Sequence, residues 1–154
     1  MFQKIHHINI HPEKPTLIWD GDCGFCKFWK TRWELKTENS IVFRTFQEAA
    51  DNFQEIPLKE FKKASRLIDT EGNVFSGPDS AYRSLWYGGN KFWHHLYKKS
   101  SIFCDISDHT YNHIAKNRSF YFKATHLLFG KNPRNLKPYW LLYLFAVILI
   151  FFLL

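Results

Sequence analysis

The feature of this sequence that most constrains its fold is a pair of cysteines where a predicted strand gives way to a predicted helix. Thr16–Trp19 is a short apolar run that ends in a turn at residues 20–21, a pattern typical of a strand. Residues 25–36 contain no Gly or Pro, and their aromatic side chains recur with a helical period. Cys23 and Cys26 therefore lie at the start of the helix, the second one turn after the first.

Downstream, the pattern predicts a second strand, short helices, a hairpin of two strands and further helices. These elements are assigned to residues 41–43, 46–53, Leu58–Lys63, 65–68 and 74–75, a helix from Pro78 to the stop at Gly88, and helical cover at 97–101 and 106–116. A helical crossover between two strands of one sheet requires parallel strands, whereas a hairpin is antiparallel. We therefore predict an α/β fold of thioredoxin-like type, a mixed sheet with helices on both faces and extra C-terminal helices.

The chain carries a formal net charge of +7, but the excess is local. Six of the 21 basic residues lie between positions 116 and 137, where no acidic residue occurs, and the other 15 face 14 acidic residues. No helix-turn-helix, RNA-recognition or zinc-finger signature interleaves this basic stretch with aromatic residues. The distribution of charge therefore argues against a nucleic-acid partner.

Residues 139–154 form an apolar tail without charge, Gly or Pro. As a helix the tail would be about 24 Å long, against a hydrocarbon core of about 30 Å, so it would cross a thin or locally thinned bilayer. Aromatic residues cluster at its start, and basic residues beside a span are retained on the cytoplasmic side. We therefore expect a transmembrane-type helix, a single-pass C-terminal tail anchor with the domain facing the cytoplasm. A buried core helix is the alternative.

These patterns divide the chain into four segments. Residues 1–15 are an N-terminal extension, 16–118 the thioredoxin-like domain, 119–138 a basic juxtamembrane linker and 139–154 the membrane anchor. No internal repeat is present, so a single domain is expected to carry the functional site.

The position of the two cysteines suits thiol chemistry, because the nucleophile in such reactions is the thiolate. Free amides at the start of a helix, with the helix dipole behind them, stabilise an anion there. Cys23, at the helix start, is thus the expected nucleophile that attacks a disulfide, and Cys26, one turn in, resolves the mixed disulfide. Gly24 between them allows close approach of a partner, and Phe25 offers that partner an apolar contact.

Four charged residues near the pair act on the thiols in opposite directions. Lys27 and Lys30, in the first turns of the helix, add positive potential that favours the thiolate. Asp20 and Asp22 oppose them, since a nearby carboxylate disfavours a second negative charge. Asp22 is also a candidate N-cap whose side chain accepts a free amide of the first turn. The sequence leaves the direction of electron flow open.

A structural zinc site is the alternative use of a close cysteine pair. Three cysteines, an odd number, do not form the paired framework of a small secreted protein, so the close pair is expected to be catalytic or metal-binding. Zinc requires four ligands, usually from a second cysteine pair or from two histidines. Cys104 is alone, and His109 and His113 lie far along the chain. We therefore expect no metal, and no organic cofactor.

Three motifs occur along the chain: Asp-x-x-Cys-x-x-Cys at residues 20–26, a Gly-x-Asp-Ala-like helix opening at 77–81, and Tyr-x-x-Ala-x-Asn-Arg-like residues at 111–118. Together they resemble the thiol-disulfide oxidoreductase DCC family, over a stretch from Thr16 to Arg118. The supporting positions of the first motif are Asp20, Gly21, Asp22 and Gly24.

This resemblance implies a thioredoxin-like fold and disulfide reductase activity, with Cys23 and Cys26 as the redox pair. The partners it implies are a disulfide-containing substrate, protein or small molecule, and a thiol reductant. One departure from thioredoxins is that residues 63–66 occupy the place of their cis-proline. A non-catalytic, membrane-tethered adaptor or a metal-binding domain that retains the fold is the alternative function.

Overall fold

The computed structural model describes residues 1–153 and contains a four-stranded sheet with helices around it. The strands are β1 (Thr16–Trp19), β2 (Val42–Thr45), β3 (Arg66–Ile68) and β4 (Val74–Ser76). The helices are α1 (Gly24–Thr37), α2 (Phe46–Ala49), α3 (Leu58–Lys63), α4 (Pro78–Tyr87), α5 (Phe92–Lys99), α6 (Ser101–Lys116), α7 (Arg118–Phe129) and α8 (Tyr139–Leu153). A 3-10 turn at Ala50–Phe53 follows α2 directly.

The sheet has the strand order β2-β1-β3-β4. β1 pairs in parallel with β2, with Leu17 opposite Phe43, because α1 carries the chain back across the sheet. β1 pairs antiparallel with β3, with Leu17 opposite Leu67, and β3 and β4 form the predicted hairpin. This order and these directions are those of the thioredoxin fold, so the mixed sheet agrees with the prediction.

Alternate side chains of the central strands enter two apolar clusters, one on each face of the sheet. Ile18 and Ile68 pack in the cluster that α2 and α3 cover. Leu17 and Leu67 belong to the other cluster, which includes Trp33 of α1. Helices therefore cover both faces, and the end of β1 that leads to the cysteines is anchored in the core.

Two helix boundaries differ from the prediction for local reasons. The single helix expected over residues 46–53 is α2 followed by the 3-10 turn. The helix expected at 97–101 is interrupted at Ser100, which ends α5 and whose hydroxyl accepts the amide of Phe103 at 3.2 Å to cap α6. Serine competes well for helix-terminal amides, so Ser100 ends one helix and begins the next.

Residues 118–129, most of them in the segment expected to be a basic linker, form α7. This helix packs against α1: the ring of Phe129 lies 6.4 Å from that of Trp29, and the ring of His126 lies 5.7 Å from that of Phe28. α7 thereby brings side chains from late in the chain next to the helix that follows the cysteines.

The expectation of a membrane anchor at the C-terminus is wrong. Within residues 1–153 the structure has no helix with both the length and the apolar character needed to cross a membrane. α8 has 15 residues, a length of about 22 Å against the roughly 30 Å of a hydrocarbon core. Three expectations are therefore not supported. They are the transmembrane-type helix, the single-pass tail anchor with a cytoplasm-facing domain, and the membrane contact through residues 139–154. The buried alternative is not found either, since the side chains from Trp140 to Phe152 are exposed.

Candidate functional site

The two cysteines lie where β1 ends and α1 begins, as predicted. A turn closes with the amide of Cys23 donating to the carbonyl oxygen of Asp20 at 3.2 Å, and α1 starts at Gly24. Cys23 and Cys26 are joined by a disulfide with a Cα–Cα distance of 5.2 Å, and both residues are half-buried. This Cα separation is within the usual range for a disulfide, so the backbone holds the pair in a geometry that allows bond formation.

The sulfur of Cys23 itself caps α1. The amide of Cys26 donates to Sγ of Cys23 at 3.1 Å, and Cys23 has the extended backbone of an N-cap residue. The expectation that Asp22 caps the helix is therefore wrong. Because the sulfur sits one residue closer to the free amides, it takes the place that a carboxylate at position 22 would need.

Asp22 and Asp20 are instead joined by Gln47, which the sequence did not single out. The side-chain nitrogen of Gln47 donates to Asp20 at 3.2 Å and to Asp22 at 3.1 Å. Its side-chain oxygen accepts the amide of Gly21 at 3.1 Å. Gln47 lies on α2, the helix after β2, so the parallel pairing of β1 with β2 brings it to the turn before Cys23.

Arg118 is the second contact that the sequence did not assign. Its Nη1 lies 2.9 Å from Oδ2 of Asp20, and its Nη2 donates to the carbonyl oxygens of Lys62 and Lys63 at 3.1 and 3.3 Å. The available signal was its place as the last residue of the motif at 111–118. One guanidinium therefore ties the start of α7 to the end of α3 and to the turn before the cysteines.

The two glycines of the motif are places of close approach. A Cβ at Gly21 would lie 2.8 Å from Cγ2 of Thr45, and a Cβ at Gly24 would lie 3.0 Å from the ring of Phe122 on α7. The first distance is below ordinary van der Waals contact, so a side chain at position 21 would force the side chain of Thr45, at the end of β2, to move. At position 24 a side chain would contact the ring of Phe122.

The two lysines of α1 have different surroundings. Lys30 forms an ion pair with Glu34 at 2.8 Å, and its ammonium lies 5.6 Å from the centre of a ring of Trp19 and 5.7 Å from that of Phe43. Lys27 is exposed, and its amide donates to the carbonyl of Cys23 at 2.9 Å. The charge of Lys30 is thus partly compensated by Glu34. The expectation from sequence that Lys30 favours the thiolate did not include this contact.

Ser65 lies just before β3, within the stretch 63–66 that occupies the place of the cis-proline of thioredoxins. Its amide donates to the hydroxyl of Tyr111 at 3.0 Å, and its own hydroxyl lies 2.8 Å from that of Ser80. The peptide bonds of residues 1–153 include no cis bond. The backbone amide at this position is therefore hydrogen-bonded to a side chain of α6, that of Tyr111.

A cavity of about 630 Å³ lies beside the cysteines, between α1, α4, α6 and α7. Its wall is mostly apolar and includes Cys26, Trp29 and Trp33 of α1 and Ala124 of α7. Cys23 is not among the described residues that line it. The two cysteines thus differ in their surroundings, because of the two only Cys26 borders this space.

The residues of the zinc alternative do not meet at a common point. In the part of the chain that the structure describes, no three His, Cys, Asp or Glu side chains are placed to hold a metal ion. Cys104 has its Sγ 3.5 Å from the ammonium of Lys4, which forms an ion pair with Asp108 at 2.6 Å.

Comparison with known proteins identifies the family to which this chain belongs. A family model described as DCC1-like thiol-disulfide oxidoreductase matches residues 17–124, from β1 into α7. No curated protein and no solved structure gives a significant match. The matched region contains the Cys23–Cys26 pair at the start of α1 and the ion pair of Asp20 with Arg118. The resemblance drawn from the motifs is thus confirmed, and the chain belongs to the DCC1-like thiol-disulfide oxidoreductase family.

Proposed function

We propose that the protein is a protein-disulfide reductase in which Cys23 is the nucleophile and Cys26 is the resolving thiol. The observation that carries the proposal is the hydrogen bond from the amide of Cys26 to Sγ of Cys23 at 3.1 Å, at the start of α1. An amide directed at a sulfur stabilises its anion more than its neutral thiol, and the helix dipole adds to this effect. This contact favours Cys23 over Cys26 as the attacking thiolate.

The reaction is an exchange of sulfur–sulfur bonds. The thiolate of Cys23 attacks one sulfur of the substrate disulfide, which forms a mixed disulfide and releases the substrate's other sulfur as a thiolate that takes up a proton. The thiolate of Cys26 then attacks Sγ of Cys23, which forms the Cys23–Cys26 disulfide and releases the second substrate thiol. The substrate gains two electrons and two protons, and a thiol reductant returns the pair to the dithiol. No metal or organic cofactor takes part in these steps.

Access to the pair supports a macromolecular substrate. Gly24, between the two cysteines, is exposed, so a partner can reach this part of the helix start. The supporting positions Asp20, Gly21 and Asp22 hold the turn through Gln47. A rigid turn keeps Cys23 in position when a folded partner approaches.

The test is reduction of insulin disulfides with dithiothreitol as the electron source. Wild-type protein is expected to accelerate the reaction over dithiothreitol alone, and Cys23→Ser is expected to lower the acceleration on the order of 100-fold. Cys104→Ser, a change at the third cysteine, is the matched control and should retain the wild-type rate. An unchanged rate in Cys23→Ser would remove the proposal.

The midpoint potential of the Cys23–Cys26 couple tests the direction of electron flow. A reductase is expected to have a potential nearer the roughly −270 mV of thioredoxin than the roughly −120 mV of a strong oxidant. Equilibration with glutathione or dithiothreitol redox buffers measures it, with thiol alkylation as the readout. A value near that of the strong oxidant would reverse the assigned direction.

A further inference from the structure

The cavity beside Cys26 has the size and chemistry of a small-molecule site. Its volume of about 630 Å³ lies within the range of about 300–1,000 Å³ that is usual for pockets that hold small ligands. The wall is largely aromatic and aliphatic, and it includes Trp29, Trp33, Phe129, Tyr82 and Ile114. Such a wall favours a ligand that is mostly apolar.

The charges in the wall favour a neutral ligand. Among the described lining residues only Asp20 and Arg118 carry a formal charge, and they are paired with each other at 2.9 Å. The other terminal nitrogen of Arg118 already donates to the carbonyl oxygens of Lys62 and Lys63. An anionic ligand would therefore lose its hydration without gaining an available cation, a large cost in an apolar space.

The two cysteines of the oxidised pair differ in their relation to this cavity. Cys26 is among the residues that border it, and Cys23 is not. Attack on a disulfide is faster when the sulfur that leaves is the better-stabilised thiolate. Because Sγ of Cys23 accepts the amide of Cys26 at the start of α1, Cys23 is the better leaving group and Cys26 the better sulfur to attack.

We propose that the cavity binds the electron donor of the exchange, a neutral apolar dithiol of low molecular weight, and directs it to Sγ of Cys26. The inference rests on the proposed function, which requires a thiol reductant and does not identify it. One thiolate of the donor attacks Sγ of Cys26, which forms a donor–Cys26 mixed disulfide and releases Cys23 as a thiolate. The second donor thiolate attacks the donor sulfur of that bond, which releases Cys26 and leaves the donor as a cyclic disulfide. Two electrons and two protons pass from the donor to the pair. Protein disulfides therefore react at Cys23 and the donor at Cys26.

Dihydrolipoamide and dihydrolipoate are the probes, because they share one dithiol and differ in a neutral amide against a carboxylate. Each is mixed with the oxidised full-length protein, and the appearance of alkylatable Cys23 and Cys26 thiols is followed over time. Each rate is divided by the rate at which the same dithiol reduces hydroxyethyl disulfide, a small reference disulfide. The normalised rate for the amide is expected to exceed that for the acid by about tenfold or more, because the carboxylate finds no partner in the cavity. A normalised ratio near one would overturn the inference.

Filling the cavity is the second arm of the test. Ala124→Phe on α7 is expected to lower the dihydrolipoamide rate by about tenfold, and Ala81→Leu on α4, a second lining position, should act in the same way. Leu127→Phe, on the exposed side of α7, is the matched control and should leave this rate unchanged. Thermal unfolding verifies that each variant folds. If neither folded cavity variant is slower than Leu127→Phe, the cavity is not the donor site.

The site of attack is tested separately with phenylmethanethiol, an apolar monothiol. Acid quenching of its reaction with the oxidised protein, followed by fragment mass spectrometry, is expected to place the adduct on Cys26, and an adduct on Cys23 would overturn the assignment. Failure here is distinguishable from failure of the proposed function. Insulin reduction with dithiothreitol does not depend on the cavity probes, so an active protein without preference for dihydrolipoamide refutes this inference alone.

Discussion

Asp20 and Arg118 form an ion pair at 2.9 Å although 98 residues separate them in the chain. Both side chains are largely buried, with about a fifth of each exposed. The pair joins the turn before Cys23 to the first residue of α7 and compensates a carboxylate that precedes the redox pair by three residues. We expect this contact to affect both the stability of the fold and the ionisation of the thiols.

Replacing Arg118 by Met is expected to lower the free energy of unfolding by about 1.5–3 kcal/mol, because charged hydrogen bonds to Asp20 and to two backbone carbonyls are lost. Urea unfolding of the oxidised protein measures the change. Lys116→Met is the matched control, since Lys116 is an exposed residue at the end of α6. Equal losses in the two variants would show that the Arg118 contacts contribute nothing.

A double-mutant cycle measures the free energy of interaction between Asp20 and Arg118. Once Arg118 is gone, Asp20 keeps a partly buried charge without its partner, so adding Asp20→Asn is expected to cost less in the Arg118→Met background than in the wild type. A coupling free energy of about 1 kcal/mol or more is expected for residues in direct contact. Strictly additive losses would mean that the two side chains act independently.

The reduced cysteines are expected to ionise in order, Cys23 before Cys26. Sγ of Cys23 accepts a helix amide, which favours its thiolate, whereas Cys26 borders an apolar cavity that disfavours the charged form. Alkylation by iodoacetamide over a pH series, with fragment mass spectrometry, measures each thiol. The urea-unfolded protein is the control, in which both should react alike. Preferential alkylation of Cys26 at low pH would contradict this order.

Local patterns were sufficient to predict the elements that carry the cysteines. The apolar run Thr16–Trp19 predicts β1 to the residue, because a short buried strand bounded by turn residues is a signal within the segment itself. The helix expected over 25–36 is observed at Gly24–Thr37. The cysteine spacing then places both sulfurs at the helix start, which is why the pair itself could be found.

The contacts around the pair could not be predicted in the same way. Gln47 and Arg118 reach the turn only through the pairing of β1 with β2 and the packing of α7 on α1, which no local pattern specifies. The cap assigned to Asp22 failed because the competing acceptor is the sulfur of Cys23 itself. For the tail, apolar composition favoured a membrane, but α8 is too short to cross one.

A side chain at Gly21 is expected to destabilise the fold by crowding β2. A Cβ there would lie 2.8 Å from Cγ2 of Thr45, so Gly21→Ala should lower the free energy of unfolding by about 1–3 kcal/mol. Thr45→Ser removes that methyl group and keeps the hydroxyl, so the double variant should recover part of the loss. Urea unfolding of the two single variants and the double variant tests this. The same loss on adding Gly21→Ala in both backgrounds would exclude the steric cause.

Asp79 on α4 forms a charge cluster away from the cysteines, and it is expected to make the fold sensitive to acid. Its carboxylate is buried, 3.1 Å from Nδ1 of His94 and 2.6 Å from Nζ of Lys98. Burial by itself raises the pKa of Asp79, but the contacts with His94 and with the ammonium of Lys98 outweigh it and hold the pKa below its ordinary value of 3.8. The folded state thus binds this proton less readily than the unfolded state.

Because the folded pKa of Asp79 is depressed, its stabilisation is fully present above the unfolded pKa near 3.8 and is lost as the pH falls through the lower folded pKa. Asp79→Asn is therefore expected to be less stable than the wild type by about 2 kcal/mol at neutral pH, and the gap should narrow as the solution is acidified below about pH 4. Urea unfolding of both proteins at neutral and acidic pH measures the gap. Asp51→Asn is the control, since Asp51 is exposed and forms no ion pair with the described residues. The difference in stability between this variant and the wild type should stay near zero at every pH. A gap that widens on acidification would mean that the Asp79 carboxyl is stabilised in its protonated form, the reverse of what His94 and Lys98 impose.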